Sequence, residues 1–285
     1  MREVRAIQVA IACSIIGTVT KFTVGAITGS MSMISSAVDS VGDLFVSLVN
    51  LLVVRYASVG PDEDHNYGHE KIEGLGAMFE GGFILAAAAF IAYEAVHKAL
   101  VKEITHDTTL GLFVMLPILA MTFATVLYLR KVAKATGSLV VKSDALHYMT
   151  DVWVNVGVIV SLGLVKLTGK PIVDTFVSLV IAAYMIFSSL KVVREGFDVV
   201  MDKSLEPDVV AQVQALLAGC ERIESFHDFR TRRGRIPHVD FHVVVPADMN
   251  AQAIHDLFLD LQTQVRGIVG VSTRVLMHAD PSHAR

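Results

Sequence analysis

Asp39-Ser40-Val41-Gly42-Asp43 and His147-Tyr148-Met149-Thr150-Asp151 are the two stretches on which the reading of this sequence turns. Each places two metal-ligand side chains four residues apart. On a helix, positions i and i+4 share one face, one turn apart. Both stretches sit inside long apolar segments of membrane-spanning character. An Asp at the centre of a membrane helix costs about 2.5–3.5 kcal/mol. The three here would cost roughly 7–10 kcal/mol if nothing compensated them. Three carboxylates and one imidazole converging from two helices would make a tetrahedral divalent-metal site, suited to Zn²⁺ and able to hold Fe²⁺, Cd²⁺ or Co²⁺. Separate interhelical hydrogen bonds are the bland alternative. Two such pairs in two separate helices weigh against it.

The composition agrees with a membrane setting. The 285 residues are 53% hydrophobic and only 18% charged, against about 25% charged in average soluble domains. The mean hydropathy is +0.56. The net charge of -4 comes with no basic tract, so nucleic acid is not an expected partner. Cys13 and Cys220 fall in different regions without a CxxC partner, so neither a disulfide framework nor a thiolate metal site is suggested. Met1-Arg2-Glu3-Val4-Arg5 leads into an apolar segment with no convincing cleavage site. It reads as the start of a first membrane helix, not a signal peptide.

A membrane helix needs about 20 largely apolar residues. Six segments meet that, near residues 7–28, 33–56, 74–98, 109–130, 145–166 and 173–194. Arg2, Arg5, Arg55, Lys71, Arg130, Lys131, Lys134, Lys142, Lys191 and Arg194 collect on one side of such a bundle. Lys98, Lys102, Lys166 and Lys170 collect on the other. The richer side is expected to be cytoplasmic, with both termini inside. Residues 1–196 form the membrane domain in this reading, 197–204 a linker, and 205–285 a small cytoplasmic α+β domain.

In that last part, 207–217 and 250–265 read as helices, the second with Asn250 as N-cap. Stretches 224–231, 238–245 and 271–278 read as strands. His238, Asp240, His242 and Val244 alternate with Val239, Phe241, Val243 and Val245, which predicts one polar and one apolar face. So small a domain gains from pairing with a second copy.

These features together resemble the cation diffusion facilitator family, and within it the bacterial zinc- and iron-exporting branch. The resemblance rests on the Asp39/Asp43 and His147/Asp151 pairs, on Gly29-Ser30 before the second segment, on Tyr67-Gly68-His69-Glu70-Lys71-Ile72-Glu73 entering the third, and on His227-Asp228-Phe229-Arg230-Thr231-Arg232 in the soluble part. It covers nearly the whole chain. The manganese-transporting branch usually lacks the histidine of segment five. The resemblance implies a homodimeric Zn²⁺/proton antiporter of the bacterial inner membrane, working by alternating access, with a metallochaperone-like cytoplasmic domain.

It implies further sites. Asp62, His65 and His69 match a second metal site in the loop, whose bland reading is a solvated acidic turn. His227, His242, His255, His278 and Asp280 match a binuclear zinc site, although Ala279 stands where relatives can carry another ligand. Lys71 and Asp202 match a salt bridge between membrane and soluble parts; two exposed charges are the alternative.

Among the other polar groups, Lys21 either snorkels or pairs with a carboxylate. Glu80 reads as a structural hydrogen-bonder or a cytoplasmic-side funnel group. Asn50, Asn155 and Asp174 read as helix-packing groups. His238 shares the His242 face without a matching role, and His283 closes the set of histidines in the soluble part. Two rival classes remain: a membrane metal sensor that binds ions without moving them, and a membrane metalloenzyme. His69-Glu70-Lys71-Ile72-Glu73 begins like HExxH, but Glu73 replaces the second histidine, and a closed four-ligand site leaves no position for a reactive water.

Overall fold

The computed structural model of the chain describes residues 2–28, 31–101, 109–168 and 172–282, without side chains at 28, 31–36, 38, 39, 98, 99, 101, 109–115, 158, 161–163, 165, 166 and 174. The readings of the Asp39 and Asp174 side chains, of Gly29-Ser30, of Lys98, Lys102, Lys166 and Lys170, and of His283 lie outside the described residues. The chain divides into two compact units, 1–197 and 198–285.

The first unit is six long helices: α1 (Arg2–Thr28), α2 (Met31–Ala57), α3 (Ile72–Val101), α4 (Thr109–Thr136), α5 (Leu139–Thr168) and α6 (Ile172–Val200). Among the described residues, five contain stretches long and apolar enough to cross a membrane, within Arg2–Ile27, Ser40–Ala57, Ile72–His97, Leu116–Thr136 and Thr175–Val200. α5 is 30 residues long and carries Lys142, Asp144, His147 and Asp151 in its first half.

Side-chain pairings give the directions of the helices. Asp43 meets His147 and Asn50 meets Asp144, so α2 runs antiparallel to α5. Glu73 accepts from the Leu139 N–H at 3.0 Å and Glu80 accepts from Ser143, so α3 runs parallel to α5. Thr175 donates to the Ala95 carbonyl at 3.3 Å, setting α6 antiparallel to α3. α3 and α6 approach so closely that a Cβ at Gly81 would meet Val193, and one at Gly196 would meet the Gly74 carbonyl and Met78. Small residues permit this where helices associate by packing alone. One end of the bundle therefore holds Ala57, Ile72, Thr136 and Leu139. We call it the near end, and the end with Thr28, Met31 and Thr168 the far end.

The basic stretch Lys131 to Lys142, expected as a loop, is almost all helix. α4 continues to Thr136 and α5 starts at Leu139, leaving Gly137 and Ser138 between them. Lys and Ala are good helix formers. Ser138 caps the new helix by accepting from the Val141 N–H at 3.4 Å.

The second unit is α7 (Pro207–Ala218), β1 (Ser225–Arg232), β2 (His238–Val245), α8 (Ala251–Val269) and β3 (Arg274–Pro281). The sheet order is β1-β2-β3. β2 pairs antiparallel with β1 and parallel with β3, with α8 as the crossover that a parallel pair requires. The predicted alternation along β2 holds. Val239, Phe241, Val243 and Val245 are buried against Val213, Leu217, Leu257, Leu261 and Val265 of the two helices. Asn250 caps α8 by accepting from the Ala253 N–H at 3.0 Å. β3 begins later than the expected residue 271, because a turn closes first: the Thr273 N–H donates to the Gly270 carbonyl at 3.0 Å.

Two leucines on α8 test this packing. Leu261 is fully buried, whereas Leu259 is 51% exposed. Leu261→Ala should lower the stability of the second unit by about 2–5 kcal/mol. Leu259→Ala should change it by no more than about 0.5 kcal/mol. Denaturant dependence of α8 amide exchange in the full chain reads both; equal effects would contradict the burial pattern.

Candidate functional site

Among the described residues, three clusters of His and carboxylate side chains bring their ligand atoms within 4.8 Å of one another: Asp43, His147 and Asp151; Asp62, His65 and His69; and His227, His242 and Asp280. Each draws on residues singled out in the sequence.

The first lies in the helical bundle. His147 and Asp151 are one turn apart on α5, and Asp43 faces them from α2. His147 Nε2 is 3.2 Å from Asp43 Oδ1. The pair is not aligned as a hydrogen bond, so the buried Nε2 has no hydrogen-bond partner. A tetrahedral cation about 2.0–2.2 Å from each ligand would set the ligands roughly 3.4 Å apart, so little movement separates this arrangement from a coordinating one. Asp39 stands one turn before Asp43 on α2, and its side chain lies outside the described residues.

The backbone under these ligands is tied down. Thr150 donates to the His147 carbonyl at 2.6 Å and Asn155 to the Asp151 carbonyl at 2.7 Å. Tyr148, buried beside His147, donates to the Ala10 carbonyl at 3.0 Å and hydrogen-bonds Ser14 at 2.7 Å and Ser47 at 3.1 Å. One phenol thus pins α1, α2 and α5 together.

A cavity of about 540 Å³ reaches the cluster. Asp43, His147, Asp151, Lys21, Ser40 and Phe83 are among its lining. It takes no residue beyond Asp43 on α2, before Phe83 on α3 or before His147 on α5, so it belongs to the far-end half. Lys21 neither leaves the bundle nor stands in a salt bridge among the described residues. Its Nζ donates to Ser40 at 2.8 Å, which places a fixed positive charge in the same cavity as the carboxylates.

The second cluster occupies the α2–α3 connection. The His65 N–H donates to Asp62 Oδ1 at 2.6 Å, and the Gly68 N–H donates to the His65 carbonyl at 2.8 Å. The chain can turn there because Gly68 has φ +88°. His69 Nε2 lies 3.3 Å and His65 Nδ1 3.4 Å from the two oxygens of Asp62. The His69 ring is buried edge-on to Tyr56 of α2. The backbone N–H of His65, followed by the nearby imidazoles, holds the Asp62 carboxyl below the usual carboxylate range.

The third cluster uses the sheet register. His227, His242 and His278 are partners in one row across β1, β2 and β3. Asp280, two residues along β3, reaches all three: 3.2 Å to His227, 3.3 Å to His242 and 3.1 Å to His278. A bulge after His227, with Asp228 at φ +50°, releases β1 from regular pairing. His255 is not drawn into this group; it is exposed on α8. Asp202 has a partner within its own unit, Arg232 at 3.4 Å.

The sequence reading missed Asp144. It stands three and seven residues before His147 and Asp151, which places it on the same helical face. It is completely buried and accepts from Asn50 Nδ2 at 3.1 Å. Glu80, also completely buried, accepts from Ser143.

Comparison with known proteins agrees with this architecture in both units. A family model described as the cation efflux transmembrane domain matches residues 7–201. A second, described as the cation efflux protein cytoplasmic domain, matches 205–282. The chain is 31% identical to an uncharacterised transporter of Synechocystis over 90% of this chain and 83% of that protein. It is 29% identical to the cation-efflux pump FieF of Shewanella oneidensis, over 89% of this chain and 86% of the pump. It is 31% identical to FieF of Pectobacterium carotovorum, over 90% and 85%.

His238 offers a test of the sheet's electrostatics. Burial pushes its pKa down, and Arg232, with Nη2 3.2 and 3.4 Å from the ring nitrogens, pushes it further. The folded state then binds fewer protons than the unfolded chain, so stability falls as pH drops through and below 6.5. Ring NMR should show a His238 midpoint below 6.5 that rises in Arg232→Gln. A midpoint at or above 6.5 in the native chain contradicts this account.

Proposed function

This chain belongs to the cation efflux family, a family of multi-pass membrane transporters, and we propose that it exports a divalent metal cation in exchange for protons by alternating access. Zn²⁺ is the leading substrate, with Fe²⁺, Cd²⁺ and Co²⁺ as the other ions that such a ligand set suits. The observation that carries the reading is the buried His147 Nε2, without a hydrogen bond, facing two carboxylates at the end of a cavity. Asp39 would complete the sphere.

The chemistry couples ion and proton without a separate device. Cation binding requires deprotonated carboxylates and a neutral imidazole, so each ion that binds releases protons, and protonation of the same groups expels it. Lys21 holds charge near the carboxylates when the ion has gone. The cavity in the far-end half supplies one of the two accesses that the cycle needs. In our reading the near end is cytoplasmic, as the excess of Lys and Arg there favours, and both termini are inside. In our reading the membrane is a bacterial inner membrane.

The Asp62/His65/His69 and His227/His242/His278/Asp280 groups serve as further divalent-cation sites in this reading. The second unit joins two copies of the chain into a homodimer, where His255 would act from its exposed position on α8. The loop and sheet sites are regulatory and not on the ion's path, because neither lies in the bundle.

Reconstituted vesicles with an imposed pH gradient test the proposal. The native protein should accumulate Zn²⁺ in proportion to the gradient. His147→Ala and Asp151→Ala should reduce uptake to the level of protein-free vesicles, while His65→Ala should leave gradient-driven uptake in place. Native flux indifferent to the gradient, or full flux in Asp151→Ala, would overturn it.

A further inference from the structure

On the near-end side of the His147 cluster, Asn50, Glu80 and Asp144 meet inside the helical bundle. Asn50 follows Asp43 by seven residues on α2, two helical turns or about 10 Å, and Asp144 precedes His147 by three on α5, about one turn, so the group stands one to two turns from the candidate cation site. All three side chains are completely buried. The far-end cavity does not reach them. Glu80 accepts from Ser143, the neighbour of Asp144 in the chain, and Asp144 accepts from Asn50, which brings the three side chains together.

Their hydrogen bonds leave one oxygen unpaired on each. Asn50 Nδ2 donates to Asp144 Oδ1 at 3.1 Å and Ser143 Oγ donates to Glu80 Oε2. Asn50 Oδ1, Glu80 Oε1 and Asp144 Oδ2 are buried and accept nothing. Among the described residues, neither carboxylate stands in a salt bridge. Each buried unpaired acceptor costs about 1–3 kcal/mol, and more when charged. Two carboxylates sharing one proton would keep a net negative charge and leave the Asn50 carbonyl unpaired. One divalent cation would satisfy all three oxygens and neutralise both charges.

We infer that Asn50 Oδ1, Glu80 Oε1 and Asp144 Oδ2 form a second intramembrane cation site, an all-oxygen stopping point between the near end and the His147 cluster. Carboxylate and carbonyl oxygens without nitrogen or sulfur bind hard divalent ions and hold softer ones weakly. That suits a position that receives an ion and passes it to a tighter, imidazole-containing site. The ion's direction of travel rests on the transport reading above; the site itself rests on the three unpaired oxygens.

Mn²⁺ is the probe. The other three clusters all contain histidine, so Mn²⁺ held there shows nitrogen coupling in pulsed electron paramagnetic resonance, whereas Mn²⁺ at this site shows none. In the full-length protein in nanodiscs, we expect a population without nitrogen coupling that disappears in Glu80→Gln and in Asp144→Asn, each variant losing one Mn²⁺ per protomer. The nitrogen-coupled population should remain, which separates the loss from misfolding. No such population in the native protein, or its persistence in both variants, overturns the inference. If native vesicles show no cation flux but this population is present and lost in the variants, the transport reading fails and the site stands. If flux is normal and the population is missing, the site alone fails.

Discussion

Ionisable side chains inside an apolar helical bundle are costly unless something offsets them, and that constraint organises the membrane part of this protein. Four carboxylates of α2, α3 and α5 gather at two levels, Asp43 with Asp151 and, one to two turns away, Glu80 with Asp144. Around them, Lys21, Ser40, Asn50, Ser143 and Tyr148 take up the polar contacts that the bundle can supply. Among the polar atoms left without a hydrogen bond are a buried imidazole nitrogen at one level and three acceptor oxygens at the other. A cation is the simplest group that closes both deficits.

The helices that carry these groups are held at fixed register by contacts outside the clusters. Tyr148 ties α5 to α1 and α2 next to His147. Glu73 ties the start of α5 to the start of α3. The glycines at 81 and 196 let α6 lie directly on α3. The soluble unit reaches a comparable cluster by other means. A strand register, not a helical turn, aligns His227, His242 and His278, and Asp280 closes the group from the end of β3. His and Asp recur in all three clusters because together they give a neutral nitrogen and an anionic oxygen, ligands that both lose their affinity when protonated.

Much of this was legible in the residues. The i,i+4 pairs in α2 and α5 fall on facing sides because a helical period leaves no other choice once the segments are known to be long helices. The alternation of β2 likewise fixed which face is core. Asp144 was harder to see. Its spacing to His147 is three rather than four, and only the position of Asn50 and Glu80 on other helices shows that it is buried among partners. Lys21 could not be assigned from sequence, since Ser40 as its partner depends on how α1 meets α2. The parallel pairing of β2 with β3, which creates the histidine row, is a consequence of the α8 crossover and not of any local signal. α4 and α5 run past their apolar segments because the lysines that flank them are compatible with helix ends.

The central claim is that a divalent cation sits among Asp43, His147 and Asp151. Anomalous X-ray diffraction at the zinc absorption edge, from crystals of the full chain equilibrated with Zn²⁺, addresses it directly. The account predicts a peak about 2.0–2.2 Å from His147 Nε2 and from one oxygen each of Asp43 and Asp151, inside the bundle and absent in His147→Ala. Peaks confined to the α2–α3 connection and to the histidine row of the sheet, with none between α2 and α5, would contradict it.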